Sequence, residues 1–154
     1  MIDKPKIVTT EQQLTAVIHL TIPREQMPAL FAPALEELLA TLATQQIAPE
    51  GAAFAYHLRM PPGMFDFELG FVVKATVAAS GRVKASQLPA VKAARTIYHG
   101  PYEGLPDAWG EFNNWMKAQN VKQAEDLIEH YVVGPQSTSN PAEYQTELTR
   151  PLIG

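Results

Sequence analysis

Apolar and polar residues alternate from Ile7 to Ile22, where Leu14, Ala16, Ile18 and Leu20 share one parity. A two-residue period predicts a strand, and Pro23 ends it. The period then lengthens: Met27, Leu30, Phe31, Ala34, Leu35, Leu38, Leu39 and Leu42 recur at three- and four-residue spacing and predict an amphipathic helix. Pro28 fits its first turn, whereas Pro33 forfeits a backbone hydrogen bond and predicts a late start or a kink. Ala48-Pro49-Glu50-Gly51 predicts a turn, and residues 53–60 a strand broken by Pro61-Pro62-Gly63. Residues 66–77 predict a third strand, with Phe65, Phe67, Leu69 and Phe71 on one parity, and Ala79-Ser80-Gly81 closes this half.

The second half repeats the order. Residues 91–99 predict a strand and Gly100-Pro101-Tyr102-Glu103-Gly104 a tight loop. Leu105, Ala108, Trp109, Phe112, Trp115 and Met116 predict a second amphipathic helix, with Glu103 and Asp107 at the positive end of its dipole. Residues 127–133 predict the next strand, 134–141 a polar loop and 144–152 the last strand. Each half therefore reads strand, helix, strand, strand. The expected fold class is α+β: two pseudo-symmetric modules, about 6–79 and 83–152, forming antiparallel sheet around a central ligand groove within one domain over 1–154. A local echo joins the halves. Phe54-Ala55-Tyr56-His57 parallels Glu129-His130-Tyr131 with the tyrosines in register, and Phe67-Glu68-Leu69 parallels Thr146-Glu147-Leu148.

Composition narrows the chemistry. The 154 residues suffice for one domain with a real core. Charged residues make up 18%, below the ~25% of an average soluble domain, so the surface suits self-association or apolar ligands. Net charge is −4 and no Lys/Arg cluster occurs, which argues against direct nucleic-acid binding and mildly favours cationic ligands. There is no cysteine, and His19, His57, His99 and His130 are scattered without ligand spacing, so no metal or other cofactor is expected. No apolar run approaches the ~20 residues a membrane helix needs, and Met1-Ile2-Asp3-Lys4-Pro5 has no signal-like apolar region. A cytoplasmic protein, monomeric or weakly dimeric, is the expectation. No Ser-His-Asp order, dinucleotide fingerprint or P-loop is present.

Candidate chemistry centres on Glu129, inside Leu127-Ile128-Glu129-His130-Tyr131-Val132-Val133. Strand alternation places Glu129, Tyr131 and Val133 on one face and Ile128, His130 and Val132 on the other. Either this is an edge strand with Glu129 in water, or the acid sits in a pocket, hydrogen-bonded, paired or partly protonated. Tyr98, Tyr102, Trp109, Phe112, Trp115, Tyr131 and Tyr144 cluster around it in sequence, and a carboxylate ringed by π-faces suits lipophilic cations. Phe112, Trp115 and Met116, at helical spacing, also read as core. Asp66, Glu68 and Glu147 read as solvated strand positions, and His99 as a turn histidine in water.

Tyr98-His99-Gly100-Pro101-Tyr102-Glu103-Gly104-Leu105, the helix from Trp109 to Trp115, Glu129-x-Tyr131, Thr146-Glu147-Leu148 and Pro151-Leu152 follow one another in an order and spacing that resemble the GyrI-like effector-binding domain family. Phe54-Ala55-Tyr56-His57 and Asp66-Phe67-Glu68 look like its first-half segments. That family includes the DNA gyrase inhibitory protein and the ligand-binding domains of AraC-type and MerR-type multidrug regulators. The resemblance implies two strand-helix-strand-strand modules around a ligand groove. It also implies that Glu129 faces cationic aromatic ligands, with Tyr131 beside it, Tyr144 as a further wall, and Tyr56 and Tyr98 following; Trp109 and Phe112 complete the candidate ligand-binding set. No helix-turn-helix segment is read, so a stand-alone effector domain without direct transcriptional activity is expected. Arg150 departs from the apolar pattern of the last strand.

Three functions compete. The leading expectation is a binding protein for hydrophobic, cationic or aromatic small molecules, acting alone or through an unidentified protein partner. The second is a hydrolase of strained, cyclopropane-type compounds with Glu129 catalytic, as some members of the wider family look. The third is a gyrase-inhibitor-like interaction module.

Overall fold

In the computed structural model, which describes residues 2–59, 61–135 and 137–153, the chain is α+β with nine strands and two α-helices. In order they are β1 (Lys6–Thr9), β2 (Gln13–Pro23), α1 (Met27–Thr44), β3 (Phe54–Arg59), β4 (Met64–Val72), β5 (Val83–Leu88), β6 (Lys92–His99), α2 (Leu105–Ala118), β7 (Lys122–Gln123), β8 (Leu127–Val133) and β9 (Gln145–Ile153).

Several boundaries differ from the sequence reading. The first predicted strand is two strands: the Thr10 N–H (2.8 Å) and hydroxyl (3.1 Å) both donate to the Val91 carbonyl, which ties the end of β1 to the start of β6. Helix α1 begins at Met27 with Pro28 in its first turn and runs through Pro33, so the late start is not seen. Both Pro33 and Ala29 are exposed, so the carbonyl that Pro33 leaves unbonded can meet water. The third predicted strand stops at Val72. Strand β5 went unread because Lys84, Ser86 and Gln87 leave it little apolar pattern, and β7, two residues long, carries no period at all. Met60, the predicted end of β3, lies outside the described residues. Arg150 does not interrupt β9; its Nε donates to the Ala124 carbonyl at 2.9 Å.

The chain divides into two compact units, one of Glu11–Ala90 and one, the C-terminal unit, of the segment ending at Thr10 with everything from Val91 onward. In the 11–90 unit the strands run β5-β2-β4-β3, and in the C-terminal unit β1-β6-β9-β8 with β7 on β9; these pairings are antiparallel. Helix α2 covers the C-terminal sheet through Ala108, Phe112 and Met116, which pack with Ala94, Tyr98 and Leu148. Phe112, Met116 and Leu148 are fully buried, each contributing about 1.5–3 kcal/mol. Burial of Phe54, Phe67, Ile18, Leu38, Leu42 and Leu69 gives the other unit its core.

Register relates the two ladders. On β9, Leu148 faces Glu129 of β8 and Thr96 of β6; on β4, Leu69 faces Ala55 of β3 and Ile18 of β2. Glu147 faces His130 and Glu68 faces Tyr56. Tyr56 therefore holds the place of His130 rather than Tyr131, one residue away from the expected tyrosine register, and one residue is a change of face. Asp66 and Glu68 are not solvated. They are 5% and 8% exposed. The Asp66 carboxylate accepts from Arg59 Nε (2.6 Å) and Thr21 Oγ1 (3.2 Å) and lies 2.5 Å from His19 Nε2; the Arg59 bond, then the His19 bond, hold it below the usual carboxylate range. Glu68 accepts from Ser86 Oγ at 2.8 Å.

Candidate functional site

Alternation along β8 turns Glu129 toward the face that Leu148 and α2 occupy. Helix α2 is started by Gly104 and Pro106, carries Asp107 in its first turn and ends with Lys117 in its last, an arrangement that suits the helix dipole. Its apolar stripe lies on the sheet, and Trp109 sits on one flank of that stripe. From there the Trp109 indole N–H donates to Glu129 Oε2 at 2.8 Å. Tyr131, two residues along β8, donates its hydroxyl to Oε1 at 2.9 Å. Each carboxylate oxygen thus holds one neutral donor and keeps a further lone pair available.

Rings continue from there. Tyr102, in a short 3-10 turn ahead of α2, meets Tyr131 edge-on at 5.7 Å and Tyr144 at 5.0 Å. Trp109 lies 5.7 Å from Phe112. Among the described residues no lysine, arginine or histidine forms an ion pair with Glu129.

Desolvation pushes the Glu129 carboxyl above the usual carboxylate range, and the Trp109 and Tyr131 bonds pull it back only partly. The residue nevertheless retains some solvent exposure. Desolvation, with the Glu129 charge adding to it, also raises the Tyr131 hydroxyl. Tyr102 is pushed up to about 12 by desolvation first, then by Tyr144 and Glu129. Both phenols are neutral at physiological pH, so Glu129 is the acid of the group.

Of the sequence-selected residues, Glu129, Trp109 and Tyr131 come together by hydrogen bonds, and Tyr144 joins them through Tyr102. Tyr144 lies just before β9, which starts one residue later than the predicted strand. Phe112 is fully buried in the core beneath Trp109. Tyr98 is 5% exposed, and its hydroxyl donates to the Pro101 carbonyl at 2.8 Å. Tyr56 belongs to the 11–90 unit, opposite Glu68. His99 is exposed, with Nε2 3.0 Å from Asp3 Oδ1. Tyr102 stood among the clustered aromatics but not in the selected set, because a loop residue has no period to give it a direction.

No match to the sequence is found among curated proteins. The fold is similar to the EcmrR C-terminal domain (TM-score 0.84, 17% identity, 97% of each chain). In the EcmrR–DNA complex the chain spans only 57% of the EcmrR chain (TM-score 0.81, 17% identity, 97% of this chain). It is also similar to SAV2435 bound to tetraphenylphosphonium (TM-score 0.73, 12% identity, 99% of this chain and 95% of that one). A third likeness is to a hydrolase encoded by lin2189 from Listeria innocua (TM-score 0.70, 10% identity, 97% and 92%). A family model matches residues 3–153, and the chain belongs to the GyrI-like small molecule binding domain family.

Proposed function

We propose that the Glu129 site binds hydrophobic cations carrying aromatic or other apolar groups. The observation that carries this reading is a desolvated carboxyl whose bonded partners are neutral, with aromatic rings beside it. Such a group is partly desolvated without a counter-ion, and a ligand cation supplies one. Trp109 and Tyr131 fix the two oxygens, while Tyr102 and Tyr144 offer π-faces to apolar and cationic groups. The likeness to SAV2435, seen with tetraphenylphosphonium, supports this ligand class. Because the carboxyl is raised, cation binding favours its ionised form, and affinity falls as pH drops through that raised value.

Titration with tetraphenylphosphonium and with neutral triphenylphosphine oxide tests the reading. Glu129→Gln should weaken the cation by about 30- to 100-fold, the scale of a charge-assisted contact, and the neutral compound by less than about 3-fold. Equal losses would remove Glu129 as counter-ion.

A second reading rests on the same acid. A carboxyl raised above the ordinary carboxylate range holds its proton more readily and can donate it, which is what opening a strained ring by water requires. Both oxygens are already engaged by neutral donors, which suits holding a charge better than activating water. Turnover of a cyclopropane-type electrophile by the wild type, abolished in Glu129→Gln, would favour the hydrolase.

A further inference from the structure

We propose that Tyr98 is a positioning residue: its buried phenol sets the pose of Tyr102 in the aromatic wall. The inference rests on the reading of Tyr102 as part of the ligand site. Tyr98 is the last buried residue of β6, so its ring is fixed by Ala94, Phe112 and Leu148 rather than by any ligand. The chain then turns back over the hydroxyl. The Tyr98 hydroxyl and the Gly104 N–H both donate to the Pro101 carbonyl, at 2.8 and 3.1 Å.

Two glycines make this closure possible. A Cβ on Gly104 would lie 2.0 Å from the Tyr98 hydroxyl, and one on Gly100 2.8 Å from it. Gly100 also has φ +142°, a conformation side chains disfavour. The Gly100 N–H donates to the Tyr144 carbonyl at 3.0 Å, so the same turn is fastened to the next tyrosine of the wall. Tyr102 follows directly, within ring contact of Tyr131 and Tyr144. A side chain on an otherwise irregular loop thus receives a defined direction from a buried post.

Tyr98→Phe keeps the ring and removes only the hydroxyl. Proton NMR without ligand should show weakened nuclear Overhauser contacts from the Tyr102 ring to Tyr131 and Tyr144, with the remaining spectrum preserved. Tetraphenylphosphonium affinity should fall about 3- to 10-fold, the effect of one net hydrogen bond. In a Tyr102→Ala background, Tyr98→Phe should cost no further affinity. Gly100→Ala, which keeps the phenol but strains the turn and crowds its hydroxyl, should reproduce the contact loss and serves if Tyr98→Phe does not fold. Unchanged Tyr102 contacts, or additive losses in the double variant, would overturn the proposal. If the wild type does not bind the probe, the ligand reading fails, while the ligand-free contacts still decide the role of Tyr98.

Discussion

Strands β8 and β3 hold matching places in their own ladders and carry opposite chemistry there. Beside Leu148, β8 places Glu129, with Tyr131 two residues on; beside Leu69, β3 places Ala55, with His57 two residues on. Glu129 has Trp109 and Tyr131 as donors. Ala55 is fully buried, and His57 stacks on Phe67 at 5.0 Å and meets Phe65 edge-on at 5.2 Å, with Nδ1 lacking a partner among the described residues. Burial, assisted by the Arg24 charge, lowers the His57 pKa to about 4, so its imidazole stays neutral. One ladder gives its polar group two hydrogen-bond donors; the other keeps its polar group neutral and completes a core. The same backbone pairing accepts either, and the neighbouring side chains decide which.

Transplanting the acid tests that contrast most severely. Ala55→Glu should cost about 3–5 kcal/mol in urea unfolding at pH 7, because a charge buried among apolar groups lacks compensation. Ala55→Gln controls for volume, and near-wild-type stability of the Glu variant would show that donors are not what accommodates Glu129.

A smaller effect follows from His57. Its ordinary pKa is 6.5 and its folded value about 4. Between these the unfolded chain binds the extra proton. Stability present above pH 6.5 should therefore be lost as pH falls toward 4, by about 3 kcal/mol. His57→Phe should flatten that stretch of the stability–pH profile; an unchanged slope would mean that His57 is not the group responsible.

Glu129 should give the opposite slope. Its folded pKa is raised, so the folded state binds more protons just above the ordinary carboxylate range, and stability declines as pH rises through that window. Glu129→Gln should raise the unfolding temperature of the ligand-free protein at pH 7, and the gain should vanish in acid. A lower unfolding temperature at pH 7 would mean that the ionised carboxylate stabilises the fold.

Local periodicity made much of this molecule legible. The bounds of β8 match the predicted 127–133, and α2 extends the predicted helix by two residues to Ala118. Phe112 and Met116 are buried as helical spacing implied. Pairing partners, by contrast, do not show in local periodicity. The Thr10 bonds that end β1, the place of β5 against β2, and the burial of Asp66 and Glu68 all depend on residues far along the chain. A polar strand position reads as solvated until its neighbours are known, and Asp66 acquires Arg59, His19 and Thr21 only across the sheet.

The sequence alone determined that Glu129 and Tyr131 lie on one face, since strand side chains alternate whatever the strand packs against. It also put Trp109 on an amphipathic helix beside a Gly-Pro turn. Only the tertiary structure decided that the indole reaches the carboxylate across twenty residues. That depends on how Phe112, Met116 and Leu148 seat α2 on the sheet. The same holds for Tyr102: its direction comes from a buried phenol and two glycines, contacts that no period along the chain encodes.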